Sequence, residues 1–332
     1  MPDDHRSKRV LSPLRILNVV QAYLPFQDRG GPVFKVRSLA SGLAQRGHHV
    51  AVLTADLGIA KLNGSHPEMA PSKWGWTAHS DNVETTYLPT VGRYRAATLN
   101  PRLLPFCRAS IHEYDVVHFF GLYDLLGPGA SYFCRKQSIP YVIEPIGMFR
   151  PIVRSFRLKR MYFGLLGNRF VQGARYLVAT SEQEKQELLD GGIEESRVVI
   201  RRNGAELPAS VPALGAFRRQ YGISSHKKLI LFLGRLVSKK SPDLLLEAFL
   251  NWRSELANGR DAVLVLAGPD EGDGFLTQLQ SMADRWALRG EVIFTGPLYD
   301  DAKWSARICS SYPRKMKILA IPQEKRRLAA PR

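Results

Sequence analysis

The sequence predicts an α/β protein built from two Rossmann-like domains, of which the second is incomplete. Short apolar strands alternate with amphipathic helices in each half of the chain, a pattern typical of parallel sheets covered by helices. The length of 332 residues leaves room for two domains of ordinary size. Beyond Ala306 the alternation stops. Residues 307–332 contain eight Lys or Arg and one acid, Glu324, and therefore hold +7 of the formal net charge of +17.

These observations predict four segments. Residues 1–13 form a flexible N-terminus, 14–207 an N-terminal Rossmann-like domain, and 208–306 a truncated Rossmann-like domain. Residues 307–332 form an aberrant, disordered basic tail.

Composition excludes several classes of protein. No apolar run reaches the length of about 18 residues that a membrane span needs, and the polar N-terminus does not resemble a secretory signal. The three cysteines are scattered without a CxxC pair, which favours a reducing cytoplasm and argues against a disulfide scaffold or a zinc site. The positive net charge favours anionic partners.

The first half opens with a β-α-β unit, predicted as a buried strand at 15–20, a helix at 32–45 and a strand at 49–54. Ser181 is predicted to cap a later helix, with Glu184 completing a capping box. Further strands are predicted at 115–118, 140–143, 176–180 and 198–200.

The second half begins after a predicted connection at 206–226. Helices are predicted at 241–257 and 274–287, between strands at 228–233, 262–267 and 292–295. Three strands are too few for a doubly wound sheet of normal size, so we expect residues 226–306 to fold weakly or to aggregate.

Two loops at strand ends are candidate anion sites. Gly30 and Gly31 precede the first helix, where bare backbone can approach an anion, although a simple strand-to-helix turn explains them equally well. In the second half a strand ends in Gly234-Arg235, and Lys240 follows before the next helix. A guanidinium and an ammonium at a carboxyl strand end suit a diphosphate, and a solvated basic loop is the alternative. The absence of a GxGxxG pattern weighs against a dinucleotide oxidoreductase.

The block from Gly234 to Phe249 resembles the donor-binding segment of the retaining glycosyltransferases of family four, which have the two-domain GT-B fold. The resemblance covers about residues 14–306. Its other motifs are Gly30-Gly31-Pro32, Tyr114–His118 with Gly121-Leu122, Pro145-Ile-Gly147-Met148, Asn203-Gly204, Leu266-Ala-Gly268 and Phe294-Thr-Gly296.

The resemblance implies transfer of a hexose from a nucleotide diphosphate sugar to a glycan or lipid-linked acceptor in cell-surface polysaccharide synthesis, without cofactor or catalytic metal. It implies an N-terminal domain on the acceptor side and a cytoplasmic enzyme working at the inner face of the membrane. Arg235 and Lys240 would neutralise the leaving diphosphate, and His118 would contact the donor sugar. Further substrate contacts would come from Gly30, Gly31, Gly147, Asn203 and Gly234. The family often has His-x-His where this chain has His118 and Phe120, so a core histidine is an equal alternative.

After Gly296 the chain departs from the family, which has a Glu-x-Phe-Gly turn and a second Glu eight residues after the first. Met316 has only the codon ATG and every Lys codon begins AA, so a codon that starts on the last base of Met316 must encode Glu. Permitted codons for the whole tail, shifted by one base, can encode the missing turn and both acids. We therefore predict a frameshift near Arg307 and impaired activity of the truncated chain.

Residues 150–175 hold seven basic residues and no acid, interleaved with Phe, Tyr, Met and Leu. This pattern predicts peripheral contact with an anionic membrane, and a helix with an ordinary solvated basic face is the alternative. The alternative function is a non-catalytic product that binds anionic surfaces through this face and the tail. Specific nucleic-acid binding is not expected, because Tyr312 is the only aromatic residue of the tail.

Overall fold

A computed structural model of the chain describes residues 12–27, 30–59, 69–94, 97–149, 161–204, 213, 215–255 and 261–310. The predictions for residues 1–11, 150–160, 205–212 and 311–332 lie outside the described residues. The chain divides into two compact units, Met1–Glu206 and Leu207–Arg332, and each is described by itself.

The first unit is organised around a nine-stranded sheet of order β11-β10-β9-β8-β1-β2-β5-β4-β3. Strands β11 to β5 in that order run parallel, and β4 and β3 add an antiparallel hairpin at one edge. A separate two-stranded ribbon pairs β6 with β7. The strands are β1 (Arg15–Val20), β2 (His49–Ala55), β3 (Met69–Ser72), β4 (Gly75–Ser80), β5 (Val83–Leu88), β6 (Gly92–Tyr94), β7 (Ala97–Leu99), β8 (Val116–Phe120), β9 (Tyr141–Glu144), β10 (Tyr176–Ala179) and β11 (Val198–Ile200).

Helices cover both faces of this sheet, as the parallel strands require. On one face α1 buries Val33, Val36 and Ala40. The other face carries the larger core, which includes Phe119 and Ile143. The helices are α1 (Gly31–Ala44), α2 (Leu103–Ser110), α3 (Leu126–Lys136), α4 (Asn168–Gln172) and α5 (Glu182–Asp190), and α4 is preceded by a π-helical turn at Phe163–Gly167.

The predicted β-α-β opening is confirmed, as are the strands near residues 115, 140, 176 and 198. The strands between residues 69 and 99 were not predicted. The side chains of β3, β4 and β6 are half-buried or exposed, and the polar residues Glu84, Thr85 and Thr86 interrupt the buried strand β5, so no continuous apolar run marks these strands. Pro71 lies in β3 and is tolerated there because β3 is the edge strand.

The second unit contains a three-stranded parallel sheet of order β12-β13-β14 in its described part. The central strand is wholly buried, whereas side chains of both outer strands are partly exposed. Its elements are β12 (Lys228–Leu233), β13 (Ala262–Ala267), β14 (Val292–Gly296), α6 (Ala216–Gln220), α7 (Pro242–Glu255), α8 (Phe275–Arg285) and α9 (Asp300–Ser310). The incomplete three-stranded sheet matches the predicted fold class, and weak folding of residues 226–306 stays a prediction.

Two boundaries differ from the prediction. Helix α6 lies inside the predicted connection 206–226, because Phe217 packs into the core of the second unit with Ala306. The Phe217 backbone N–H also donates to Ser305 Oγ at 3.2 Å. Helix α9 ends at Ser310, four residues inside the predicted tail. Among the residues that the structure describes, no helix is long and apolar enough to cross a membrane.

Candidate functional site

Lys35, His118, Glu144 and Arg201 meet at one edge of the first unit's sheet, here called the polar edge. The fully buried carboxylate of Glu144 lies at its centre. Glu144 is 0% exposed, and its two oxygens contact Lys35 Nζ and Arg201 Nη2. His118 Nε2 lies 3.7 Å from Glu144 Oε2. Of these four residues, only His118 was predicted as a site residue from the sequence. The positions of Glu144 after a buried strand and of Arg201 after the next are the signals that could have identified the others.

Fold topology explains the convergence. Glu144 ends β9, and Arg201 follows β11, both at the carboxyl edge of the parallel sheet. His118 is the middle residue of β8, two positions before the end of that strand, and its side chain reaches Glu144. Lys35 lies in the first turns of α1. This helix follows β1 and leads into β2, so it begins at the carboxyl edge of the sheet. Ligands bind at this edge in open α/β sheets, so the cluster occupies the position expected of a site.

His118 is held neutral. Burial, together with the positive charges of Arg201 and Lys35, lowers the pKa of His118 from 6.5 to about 3. Its ring stacks on Phe120 at a centroid separation of 4.0 Å, so the residue that replaces the family's second histidine supports the first. Its Nε2 finds no hydrogen-bond partner within the described part of the chain. A neutral imidazole with a spare nitrogen can exchange a hydrogen bond with a ligand but is a poor store of protons.

Gly30 and Gly31 form the N-terminus of α1. Gly30 has φ 89°, a left-handed conformation that favours glycine. A Cβ added to Gly31 would meet no atom within 4 Å, so nothing in the described chain itself requires glycine there. No side chain of the described residues caps this end. The open space and the positive helix end suit close approach by an anion.

The backbone of Gly147 is held by the buried carboxylate of Glu184, which was predicted from the sequence to cap a helix. Half of the predicted capping box is confirmed, since Ser181 Oγ accepts from the Glu184 backbone N–H at 3.1 Å. The other half is wrong. The Glu184 carboxylate accepts from the backbone N–H groups of Gly147 at 2.7 Å and Thr180 at 2.8 Å instead of returning to Ser181. It therefore ties the turn after Glu144, where Ile146 and Gly147 both have positive φ, to the end of β10.

Asn203 stands apart from the cluster. It lies two residues beyond Arg201, and its side chain is exposed. The Arg201 backbone N–H continues the sheet by donating to Ala179 O at 2.8 Å, while its guanidinium turns to Glu144. The buried contact of this segment is thus made by Arg201, and a role for Asn203 stays a prediction.

The predicted diphosphate residues lie in the loop that follows β12 in the second unit. Gly234 and Arg235 follow the strand directly, and Lys240 ends a short 3₁₀ turn at Ser238–Lys240 that precedes α7. Arg235 forms an ion pair with Glu271, and both side chains are about two-fifths exposed. An exposed pair of this kind contributes at most about 1 kcal/mol, so a more highly charged anion can displace Glu271.

Close backbone packing shapes this second edge. A Cβ on Gly268 would lie 1.8 Å from Gly234 O, so only glycine fits where the ends of β12 and β13 meet. The Gly234 backbone N–H donates to Ala267 O at 2.9 Å. These contacts hold the Arg235 backbone at a defined place on the strand end.

Another groove lies at the opposite edge of the first sheet. It has a volume of about 730 Å³ and is lined by residues at the amino ends of β9 and β10. Its Arg197 is committed to structure, since the guanidinium donates to the carbonyls of Val171, Gln172 and Ala174. The Arg197 side chain is therefore not free to bind a ligand in this groove. The described residues contain no group of three or more His, Cys, Asp or Glu that could hold a metal ion.

Comparison with known families decides the class of protein. Residues 30–204 match the family described as "Glycosyl transferase 4-like domain", and residues 215–307 match "Glycosyl transferases group 1". The first match alone covers more than half of the chain. The chain belongs to the glycosyltransferase family with the 4-like domain.

Curated relatives agree with this assignment. The chain is 35% identical over 268 residues to the D-inositol 3-phosphate glycosyltransferase of Kineococcus radiotolerans, and these residues cover 73% of this chain and 57% of the relative. It is 25% identical over 288 residues to the protein of the same name from Corynebacterium jeikeium, which covers 81% of this chain and 66% of the relative. The chain thus spans less than two thirds of the length of these relatives.

Solved structures share its fold. Anabaena Alr3699/HepE, crystallised in complex with UDP and glucose, has a TM-score of 0.60 at 17% identity, covering 86% of this chain and 70% of that one. The catalytic domain of starch synthase IV from Arabidopsis thaliana, bound to ADP and acarbose, has a TM-score of 0.60 at 14% identity, covering 90% and 77%. At these identities the likeness shows the GT-B-like α/β fold.

Proposed function

We propose that this glycosyltransferase uses a nucleotide diphosphate sugar as donor and transfers its hexose, with retention at the anomeric carbon, to a glycan or lipid-linked acceptor. The observation that carries the proposal is the Gly234-Arg235 strand end with Lys240 in the loop that follows, within the segment matched to group 1 glycosyltransferases. Structural neighbours were solved in complex with UDP-glucose and with ADP, which supports a nucleotide sugar.

The proposed reaction breaks the bond between the anomeric carbon and the diphosphate oxygen, and the nucleoside diphosphate leaves with the electron pair. An acceptor hydroxyl oxygen bonds to the anomeric carbon and passes its proton to the departing diphosphate oxygen. Negative charge develops on the leaving diphosphate. Arg235 and Lys240 would stabilise that charge, which is electrostatic catalysis that needs no metal.

The first unit's polar edge carries less positive charge than the Arg235 and Lys240 loop and should bind anions more weakly. Lys35 and Arg201 bring two positive charges and Glu144 brings one negative charge, so one positive charge is in excess. The open N-terminus of α1 adds backbone donors beside Gly31. We expect this edge, with neutral His118, to orient substrate hydroxyls or one phosphate and not to neutralise a diphosphate.

Donor binding tests the proposal directly. Isothermal titration of the full chain with UDP, ADP and GDP is expected to show binding of at least one nucleotide. Arg235→Ala and Lys240→Ala each remove a charge-assisted contact worth about 1.5–3 kcal/mol, which weakens binding by roughly 10- to 150-fold. Lys239→Ala is the matched control, because Lys239 is an exposed cation in the same turn. Equal effects of Lys239→Ala and Lys240→Ala, or no nucleotide binding, would contradict the assignment.

Turnover is a separate question. Residues 297–332 do not contain the Glu-x-Phe-Gly turn with its second acid, which the resemblance places around the donor sugar. We propose that the 332-residue chain retains part of its nucleotide affinity and transfers sugar slowly. Proton NMR of any product reports its anomeric configuration, and inversion would refute the retaining assignment. Turnover at a rate ordinary for glycosyltransferases would refute the impairment.

A further inference from the structure

An apolar surface on the first unit is not accounted for by either charged edge. Leu104, Tyr132, Leu165 and Leu166, here called the leucine face, line one groove of about 340 Å³. Their exposed fractions are 54%, 54%, 66% and 41%. Large apolar side chains that stay this exposed and lie together mark an interaction site more often than a core.

The leucine face is built on a fixed backbone. The Tyr162 hydroxyl lies 2.5 Å from Leu122 O and 2.7 Å from Asp124 O, which anchors the π-helical turn that carries Leu165 and Leu166. Two glycines of α3 bring its neighbours close, because a Cβ on Gly127 would lie 2.8 Å from the Phe170 ring and one on Gly129 would lie 2.7 Å from the Leu103 side chain. The exposed side chains are therefore held out by packed helices.

Only positive charge surrounds the leucine face within its own elements. Helices α2 and α3 and residues 161–172 contain no Asp or Glu. They carry the exposed cations Arg108, Arg135, Lys136 and Arg169. Arg135 and Arg169 line the groove itself.

We propose that the leucine face docks on an anionic lipid bilayer, with Leu165 and Leu166 entering the headgroup region and the surrounding cations contacting lipid phosphates. Leucines beside a tyrosine, rimmed by Arg and Lys, have the composition of an interfacial membrane-binding surface. A twofold dimer through the same face would bring like charges together, and that repulsion disfavours a second copy. The proposal rests on the proposed function only for its purpose, since a lipid-linked acceptor would lie at such a surface.

Flotation of the full chain with vesicles tests the proposal without any transfer assay. Vesicles of phosphatidylcholine mixed with phosphatidylglycerol are compared with phosphatidylcholine alone at physiological ionic strength. Leu165→Ser is expected to weaken binding to anionic vesicles about tenfold, because one leucine loses its apolar burial. Arg169→Glu reverses one charge near the leaflet and is expected to weaken binding about 25-fold.

Two control variants separate this face from the basic tail and from total charge. Val91→Ser changes a side chain that is 67% exposed on a different part of the same unit, and Lys228→Glu makes the same charge change at an exposed position of the second unit. Both are expected to bind vesicles within about twofold of the parent chain. Circular dichroism confirms that each variant is folded.

The proposal is overturned if the chain binds no anionic vesicles, or if Leu165→Ser and Val91→Ser behave alike. It is also overturned if sedimentation shows a dimer that Leu165→Ser dissociates while vesicle binding is unchanged, because the face is then a protein interface. Loss of vesicle binding in Leu165→Ser with intact nucleotide binding supports the proposal. Failure of nucleotide binding alone leaves it standing and refutes only the proposed donor site.

Discussion

Replacing Glu144 by glutamine tests whether the buried carboxylate holds the first unit's polar edge together. The change keeps the shape of the side chain and removes its negative charge. Lys35 and Arg201 would then share an uncharged amide, with side chains only 11% and 34% exposed. The amide oxygen can accept from one cation, but the amide NH₂ group donates and cannot serve the other.

The structure sets the size of the effect. Removing one partner of a buried ion pair costs about 3–5 kcal/mol, since the remaining charge is left uncompensated. Arg201 is one-third exposed and can turn toward water, so we expect the lower figure, about 3 kcal/mol. For a unit of about 200 residues, 1 kcal/mol shifts Tm by about 2–4 °C, which predicts a loss of roughly 6–12 °C.

Thermal unfolding followed by circular dichroism measures this shift in the full chain. Glu113→Gln is the matched control in the same unit, because Glu113 pairs with Arg15 at the surface with side chains 43% and 53% exposed. That exposed pair is expected to contribute less than about 1 kcal/mol. Adding Lys35→Met to Glu144→Gln should recover part of the loss by removing an unpaired charge. Equal shifts for Glu144→Gln and Glu113→Gln would refute the reasoning.

Four further predictions concern His118, two glycines and the C-terminal tail. Between pH 6.5 and about 3, His118 binds more protons in the unfolded chain than in the folded one, so the free energy of unfolding falls as the pH drops, by up to about 1.4 kcal/mol per pH unit. Denaturant unfolding measured across this pH range should show a flatter pH profile for His118→Gln than for the parent chain. An unchanged profile would count against a buried neutral imidazole. Gly268→Ala forces a Cβ onto Gly234 O and should destabilise the second unit by more than about 2 kcal/mol in urea, whereas no change would show that the strand ends can separate. Gly31→Ala places a methyl group in open space, so it should leave Tm within about 2 °C but weaken ligand binding at the α1 N-terminus. If Gly31 only shapes a turn, the substitution should leave ligand binding unchanged. Sequencing the gene across the codons for residues 304–332 and beyond should reveal the missing acids in the shifted frame, and early stop codons there would refute a frameshift.

Strong local patterns explain why much of the fold was predictable. The predicted helix at 32–45 and strand at 49–54 agree with α1 and β2 to within about one residue, because each buries a regular apolar stripe or run. Strands β3, β6 and β7 escaped prediction because edge strands and small ribbons need little apolar burial. Strand β5 is buried, but three consecutive polar residues, Glu84 to Thr86, interrupt its apolar pattern. Helix α6 escaped for a different reason, since one buried side chain, Phe217, holds it against the second unit.

The candidate sites divide in the same way. Arg235 and Lys240 lie within six residues of one another after a single strand, so their proximity could be predicted from the sequence. Lys35, Glu144 and Arg201 come from three elements separated by more than fifty residues each, so no local pattern joins them. Glu184 had a sufficient local explanation as a cap, which concealed its contact with Gly147, 37 residues away.

The amino-acid sequence by itself determined the α/β class, the order of the parallel units and the strand-end placement of Gly30, Gly31, Gly234 and Arg235, because apolar periodicity and backbone freedom act over a few residues. Only the tertiary structure decided that Glu144 is the buried partner of Lys35 and Arg201, that His118 is neutral, and that the leucine face lies open. Each of these depends on desolvation and on long-range contacts between elements. Such effects arise only when the parallel strands bring their carboxyl ends to one edge and the helices pack around them.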